Sequence, residues 1–263
     1  MKVRALFIDM DGTLLTDHHE IALENKEAIW SLINQGVRVF LATGRPYEGT
    51  AAYHRELGLT TPFICLNGAA MYDHLTAAPI HVSSVRLPYN KRYQQVVDSS
   101  ENVLIHTSRG LYCKKMDQEV GMWCEKSGID PIRIGSLDEP PEEPVLKYSF
   151  RTSLRSEELI SPITLEQDVI EWNDGFEVVG KGVSKYISMK QLMKAYRIPL
   201  RDVAAIGDGP NDIEMLQEAG TSAAMSNAVP EAKAAADFLT GSNNENGPAT
   251  FITRYLLQTY AVV

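Results

Sequence analysis

Two aspartates, Asp9 and Asp11, stand two residues apart at the end of an apolar run that extends from Val3 to Ile8. Acidic side chains disfavour strands, and a buried carboxylate is unstable unless it contacts a cation or several hydrogen-bond donors. A magnesium ion meets that need, because it prefers oxygen ligands and is usually held by one or two carboxylates with water and substrate phosphate. The spacing therefore predicts a Mg²⁺ site at the end of this strand.

A second acidic turn lies far downstream, after the short apolar strand Val203 to Ile206. Its sequence, GDGPND over residues 207–212, holds the carboxylates Asp208 and Asp212 and the amide side chain of Asn211. Such a glycine-rich turn opens a helix, and Asp208 would complete the carboxylate set of the metal.

Two further polar turns end apolar strands, Thr43-Gly44-Arg45 and Asn67-Gly68. Ligands of an open doubly wound sheet bind at the carboxyl ends of its strands, so we expect all four turns to converge at one edge. They would bring together carboxylates for a metal, a hydroxyl and a glycine amide for an anion, and an amide side chain. This set is typical of magnesium-assisted phosphoryl transfer.

The chemistry gives these groups distinct expected roles. Asp9, at the strand end, is the natural nucleophile and can form an aspartyl-phosphate. Asp11 can protonate the leaving oxygen and then activate water. Lys185, at the start of a helix, is the best-placed cation to offset the negative charge, unless it is a solvated first-turn lysine.

The remaining pattern predicts an α/β fold with a doubly wound, Rossmann-like parallel sheet. Uninterrupted apolar strands alternate with amphipathic segments, as in a parallel sheet buried on both faces. Ser184 is the expected N-cap of a helix that ends before Pro199 and turns Ile187, Leu192, Met193 and Tyr196 inward. The other predicted elements are helices at 23–35, 213–218 and 231–236 and strands at 37–42, 63–66, 203–206 and 222–225.

A different pattern occupies residues 82–182. The segment 145–152 alternates apolar Leu146, Tyr148 and Phe150 with polar residues, as a strand with one buried face does. Hairpin turns are predicted at 108–110 and at Asp174-Gly175. We expect an inserted α+β cap domain at 82–182 and a core made of 1–81 and 183–263.

The composition excludes several classes of partner. The 263 residues carry a net charge of −9, which disfavours nucleic acid and anionic lipid surfaces. There is no signal-peptide pattern and no long apolar stretch, and three cysteines without CxxC spacing fit a reducing compartment and no zinc site. We expect a cytoplasmic protein, monomeric or weakly homo-oligomeric, without nucleic-acid or membrane partners.

Several side chains near these motifs have a structural interpretation. Trp30 is expected in the core, and Trp123 and Trp172 are expected to pack within the cap rather than stack on substrate. His18 and His19 are interpreted as solvated. Arg45 is either a surface residue or a ligand for the non-phosphate part of a substrate.

The motifs resemble those of the haloacid dehalogenase superfamily of phosphatases, and within it the Cof-type branch with a large type IIB cap inserted between the second and third motifs. The matching segments are the DxDGT signature at 9–13, Thr43-Gly44-Arg45, the lysine motif at 182–185 and the acidic turn at 207–212. One departure is Tyr186, where relatives carry a small residue. This tyrosine could narrow the pocket mouth.

The resemblance implies a role for each matched residue. Asp9 would be nucleophile and Mg²⁺ ligand, Asp11 would be acid/base and ligate the metal through its backbone oxygen, and Asp208 would ligate the metal. Asp212 would orient the set, with Arg45 and Asn67 as supporting residues. The residues expected to hold phosphate are Met10 through its backbone amide, Thr43, Gly44, Lys185 and Asn211, the last on phosphate or on metal-bound water.

The leading functional hypothesis is a Mg²⁺-dependent phosphatase of small phosphorylated metabolites, with sugar phosphates first among them. A phosphomutase and a non-catalytic phosphometabolite sensor remain as alternatives. A phospho-accepting receiver module is disfavoured, because it takes its phosphoryl group on the third strand of a domain of about 120 residues without a cap.

Overall fold

The computed structural model describes residues 3–76, 78–127, 130–153, 156 and 167–257. The described helices are α1 (Leu23–Asn34), α2 (Glu48–Glu56), α3 (Lys91–Ser99), α4 (Gln118–Ser127), α5 (Lys185–Tyr196), α6 (Ile213–Glu218), α7 (Pro230–Ala235) and α8 (Gly247–Phe251). The described strands are β1 (Ala5–Ile8), β2 (Arg38–Leu41), β3 (Phe63–Cys65), β4 (Ala70–Tyr72), β5 (Pro79–Val82), β6 (Asn102–Thr107), β7 (Leu111–Cys113), β8 (Arg133–Ile134), β9 (Val145–Arg151), β10 (Gln167–Trp172), β11 (Gly175–Gly180), β12 (Val203–Gly207), β13 (Thr221–Ala224) and β14 (Phe238–Leu239).

A five-stranded parallel sheet forms the centre of the molecule, in the order β14-β13-β12-β1-β2. All four residues of β1 are fully buried, as are Val203 to Ile206 of β12, because both faces of these strands are covered. The predicted α/β class with a parallel core is confirmed. Each of the predicted strands 37–42, 203–206 and 222–225 is present to within one residue at either end.

The strand order reverses beside β1. The chain passes from β1 to β2 on one side and later returns to β12 on the other, so β1 and β12 flank a topological switch point. Their register pairs Ile8 with Ile206, and the chain leaves both strands at the same edge. Asp9 and Asp208 therefore emerge side by side.

Helix α5 begins at Lys185, one of the predicted site residues. Ser184 caps it, since its hydroxyl accepts a hydrogen bond from the Ile187 amide at 3.2 Å. Leu192 and Met193 are buried as predicted, and Ile187 and Tyr196 are half-buried.

The predicted strand 63–66 is shorter than expected and leaves the parallel pattern. It ends at Cys65, and Leu66–Gly68 forms a 3₁₀ turn in which Leu66 and Asn67 have positive φ. β3 pairs antiparallel with β4 and meets the central sheet through a single parallel bridge between Ala42 and Ile64. The bridge places Asn67 beside the turn that follows β2.

A second sheet, with the order β10-β11-β9-β6-β7-β8, is antiparallel except for the parallel pair β7 and β8. Both predicted hairpins are present. The turn of the second one comprises Asn173 and Asp174, one residue earlier than predicted, because Gly175 already pairs with Trp172. The division of the chain at residues 82 and 182 stays a prediction.

The expectation of a single buried face on β9 was wrong. Leu146, Tyr148 and Phe150 are buried as predicted, but Lys147 is only 3% exposed. Its ammonium group contacts the turn after β2, so the other face of the strand is covered as well.

The expectation for Trp30 was also wrong. Its side chain is 39% exposed, and the indole nitrogen donates a hydrogen bond to the carbonyl of Leu57 at 3.0 Å. Apolar spacing along a helix does not distinguish a core tryptophan from one that bridges two elements at the surface.

Among the described residues, none of the helices combines the length and hydropathy that a membrane span requires.

A substitution at Gly175 tests the close packing of β11 against β9 in the second sheet. Its φ is +154°, and a Cβ atom there would overlap the carbonyl oxygen of Phe150 on β9. We expect Gly175→Ala to lower the free energy of unfolding by at least about 2 kcal/mol, measured by urea denaturation. Gly182→Ala is the control, because Gly182 also has positive φ but no atom within 4 Å of such a Cβ. Equal effects of the two substitutions would contradict the predicted overlap.

Candidate active site

The four polar turns meet at one edge of the central sheet, as their positions after β1, β2, β3 and β12 require. Three of them, the turns after β1, β2 and β12, line a cavity of about 280 Å³, with Asp9, Thr43, Asp208 and Asn211 on the side of the central sheet. The second sheet forms the opposite wall. Three predicted residues lie one layer behind the wall, each in contact with a wall residue: Lys185, Asp212 and Asn67.

Lys185 lies between two carboxylates. Its ammonium group donates to Asp9 at 2.5 Å and to Asp212 at 2.7 Å, and its side chain is fully buried. Burial opposes a charged lysine, but the two carboxylates outweigh that effect and raise the pKa of Lys185. The alternative of a solvated first-turn lysine was wrong.

Asp9 and Asp208 bear the negative charge that this lysine does not offset. Burial holds the pKa of Asp9 well above its usual range; Lys185 opposes this shift, and the carboxylates Asp212 and Asp208 add to it. Burial and the charge of Asp212 raise the pKa of Asp208 to about 6. Two carboxyl groups with raised pKa values on one cavity wall indicate a place where a further cation is needed.

The donor set fits a divalent metal that prefers oxygen. Oxygens of Asp9, Asp208 and Asp212 lie within 4.8 Å of one another. Asp212 already uses both oxygens, because one accepts from Lys185 and the other from the backbone amides of Asp208 and Gly209 at 3.0 Å. Asp9 and Asp208 therefore offer the available carboxylate oxygens, and Asp212 orients them.

A glycine permits the close approach of the two acidic turns. Gly12 has a φ of +73°, and a Cβ atom at this position would overlap the carboxylate of Asp208. The hydroxyl of Thr13 donates to the same carboxylate at 2.8 Å and fixes its orientation.

Asp11 lines the same cavity but does not belong to the group of three close carboxylates, Asp9, Asp208 and Asp212. Arg45 donates two hydrogen bonds to the carboxylate of Asp11, one from Nε at 2.6 Å and one from Nη2 at 2.5 Å. Arg45 is buried, so the surface alternative for this residue was wrong. Both histidines were interpreted as solvated. His18 is exposed, but the Nδ1 atom of His19 lies 3.0 Å from Nη2 of Arg45.

The turn after β2 supplies the groups expected to hold an anion. Thr43 is buried, with its hydroxyl accepting from the Arg45 amide at 3.1 Å. Asn211 donates to the side-chain oxygen of Asn67 at 2.8 Å. Met10, which stands between Asp9 and Asp11 in the sequence, has a fully buried side chain.

The sequence analysis missed Lys147 and Glu177 of the second sheet. Lys147 donates to the carbonyl of Gly44 at 2.9 Å and to Glu177 at 2.5 Å, and Glu177 accepts from Asn67 at 2.6 Å. Lys147 stands at a polar position of an alternating strand, so no local signal distinguished it from a solvated lysine. Its burial depends on which element covers that face of the strand.

Two aromatic residues differ from their predicted positions. Trp172 was expected to pack within the cap, but it lines the cavity, 37% exposed, beside Gly209. Tyr186, which could have narrowed the pocket mouth, does not belong to the cavity lining, and its hydroxyl lies 3.4 Å from Glu218 on helix α6. The side chain of Trp123 lies outside the described residues.

Comparison with known proteins assigns the family. A model of the haloacid dehalogenase-like hydrolases matches residues 6–252. The chain is 32% identical to YxeH of Bacillus subtilis over 97% of this chain and 98% of YxeH. It is 28% identical to YitU of the same species, named a 5-amino-6-(5-phospho-D-ribitylamino)uracil phosphatase, over 94% of this chain and 96% of YitU.

A solved structure has the same fold. That of the subclass IIB sugar phosphatase BT4131 matches with a TM-score of 0.83 at 24% identity, over 96% of this chain and 99% of that one. The chain belongs to the haloacid dehalogenase-like hydrolase family. Within that family it is a phosphatase, as the motifs predicted.

Lys185→Met should strongly destabilise the protein, because it leaves Asp9 and Asp212 buried without their cation. We expect a loss of about 3–5 kcal/mol in the free energy of unfolding, measured by urea denaturation at pH 7.5. Lys194→Met on the exposed face of α5 is the control and should change it by less than about 0.5 kcal/mol. A Lys185→Met protein as stable as the control would contradict the central role of this lysine.

Asp208→Asn should stabilise the metal-free protein. The pKa of Asp208 rises from 3.8 to about 6, so its charged form disfavours folding, and this penalty shrinks as the pH falls below about 6. In EDTA at pH 7 we expect the substitution to raise the free energy of unfolding by about 2 kcal/mol. The gain should disappear near pH 4, where wild type is protonated. A variant less stable than wild type at pH 7 would refute the raised pKa of Asp208.

Proposed function

We propose that this phosphatase depends on Mg²⁺ and hydrolyses small phosphorylated metabolites through an aspartyl-phosphate on Asp9. One observation carries the proposal: Asp9 lies on the cavity wall, held by Lys185 and beside Asp208, with the polar turns of three other strands around it. A carboxylate so fixed is oriented for attack on a phosphorus atom.

In the first step, an oxygen of Asp9 forms a bond to phosphorus and the phosphorus–oxygen bond to the leaving group breaks. The leaving oxygen takes a proton from the carboxylic acid of Asp11. Arg45 holds Asp11 with two hydrogen bonds and must loosen one of them for this transfer. Arg45 is therefore a positioning residue for the acid.

In the second step, a water molecule attacks phosphorus and Asp11 accepts the proton that this water loses. The bond between phosphorus and Asp9 breaks, which releases inorganic phosphate and restores the Asp9 carboxylate. Lys185 stays beside Asp9 throughout, and its hydrogen bonds to Asp9 and Asp212 hold the Asp9 carboxylate in place despite the repulsion between the two acids.

Asp9 and Asp208 would hold the metal through their side chains, with the backbone oxygen of Asp11 as a third protein ligand. When bound, the metal neutralises charge on the transferring phosphoryl group. The residues proposed to bind phosphate are the Met10 amide, Thr43, Gly44, Lys185 and Asn211. Asn67 supports Asn211 through their hydrogen bond.

The size and lining of the cavity support a small, polar substrate. A volume of about 280 Å³ lies at the lower end of ligand sites, and its walls carry charged groups of both signs. YitU is named for a phosphoribitylamino compound and BT4131 as a sugar phosphatase, which favours sugar and polyol phosphates. We further propose a cytoplasmic enzyme, monomeric or weakly homo-oligomeric, that does not bind nucleic acid.

Asp9→Asn should abolish turnover while the fold is retained, because an amide cannot act as the nucleophile. The assay is phosphate release from p-nitrophenyl phosphate and a panel of sugar phosphates, each with Mg²⁺ and with EDTA. We expect wild type to release phosphate only with Mg²⁺ and the variant to lose at least about 10³-fold in kcat.

Asp17→Asn is the control, since Asp17 is exposed on the loop that follows the first motif. Turnover by Asp9→Asn at the rate of wild type, or wild-type turnover in EDTA, would refute the proposal. Isomerised phosphosugar in place of free phosphate would instead identify a mutase.

A further inference from the structure

One face of the second sheet presents polar groups to the cavity. On β9 the alternate residues Lys147, Ser149 and Arg151 line it, and on β11 Glu177 lies opposite Ser149 in the strand register. The period of two along a strand places these side chains on the same face of the sheet. They form the wall opposite Asp9.

Lys147 and Glu177 are the most buried charges on this face, with side chains 4% and 14% exposed. One oxygen of Glu177 accepts from Lys147 at 2.5 Å and from the Ser149 hydroxyl at 3.1 Å. The other oxygen accepts from Asn67 at 2.6 Å. The pair therefore touches the turns that follow β2 and β3.

A purely structural link between the sheets does not require these charges. A buried ion pair adds little net stability compared with apolar residues of similar size, because both charges must leave water. Yet Lys147 uses two of its three N–H donors in the described contacts, and the second oxygen of Glu177 accepts one hydrogen bond. A spare donor thus lies beside a spare acceptor on a cavity wall.

A hydroxyl group matches this arrangement, because it accepts one hydrogen bond and donates another. Lys147 also contacts the carbonyl of Gly44, a residue of the proposed phosphate site. A hydroxyl bound here would therefore belong to the part of the substrate close to the phosphate.

We propose that Lys147 and Glu177 are specificity-determining residues that hold hydroxyl groups of a phosphorylated polyol or sugar while its phosphate lies at Asp9. This inference rests on the proposed function and names the residues that select among its substrates. A substrate without hydroxyl groups leaves the pair bound to Gly44 and Asn67, as in the present structure.

The test compares kcat/KM for glucose 6-phosphate, ribose 5-phosphate and glycerol 3-phosphate with kcat/KM for p-nitrophenyl phosphate, which has no hydroxyl groups. Wild type should have a higher kcat/KM for at least one of these three sugar or polyol phosphates than for p-nitrophenyl phosphate. Glu177→Gln and Lys147→Met should each reduce this preference at least about tenfold, chiefly by raising KM for the polyol phosphate.

The matched controls change an exposed ion pair at the end of the same sheet. Lys181 donates to Asp168 at 2.6 Å, so Lys181→Met and Asp168→Asn remove the same kinds of group away from the cavity. Both controls should keep the wild-type preference. If Lys147→Met does not fold, Glu177→Gln carries the test, because glutamine has nearly the same shape as glutamate.

Equal losses on polyol phosphates and on p-nitrophenyl phosphate would overturn the inference and assign the pair to structure alone. A wild-type enzyme that prefers p-nitrophenyl phosphate to all three polyol phosphates would overturn it as well. Failure of the proposed function looks different. In that case wild type releases no phosphate from any of the four compounds with Mg²⁺, and this inference falls with it.

Discussion

The site depends on one constraint, the concentration of negative charge at the carboxyl edge of a buried sheet. A single lysine, Lys185, is shared by Asp9 and Asp212 at 2.5 and 2.7 Å. Asp208 remains beside them with a pKa of about 6. The proposed divalent metal would supply the positive charge that Lys185 alone does not provide. Without Lys185, the Asp9 carboxylate would lose the hydrogen bond that fixes its position.

The topology makes this concentration possible. β1 and β12 are adjacent parallel strands on the two sides of the switch point, so their terminal carboxylates emerge together without any strand having to bend. Asp212 then accepts the backbone amides of its own turn and fixes the position of Asp208. The second sheet closes the cavity from the opposite side, where Lys147 and Glu177 contact the turns after β2 and β3.

The local sequence pattern predicted most of the central sheet, but little of the cavity wall that the second sheet forms. Uninterrupted apolar strands such as β1 and β12 bury both faces whatever lies around them, so their positions were predicted closely. Trp30, Trp172 and Lys147 were misplaced for one physical reason. Burial of an amphipathic side chain depends on the element that covers it, and that element is distant in sequence.

The sequence by itself determined the family, the parallel core and the residues that gather at its edge, because acidic and glycine-rich turns after apolar strands are local features. The tertiary structure decided how those residues are paired. Lys185 could have been solvated, Arg45 could have been a surface residue, and His19 had no visible partner. Only the folded chain brings Arg45 to Asp11 and Glu177 to Asn67, since hydrogen bonds across 34 and 110 residues depend on packing rather than on local pattern.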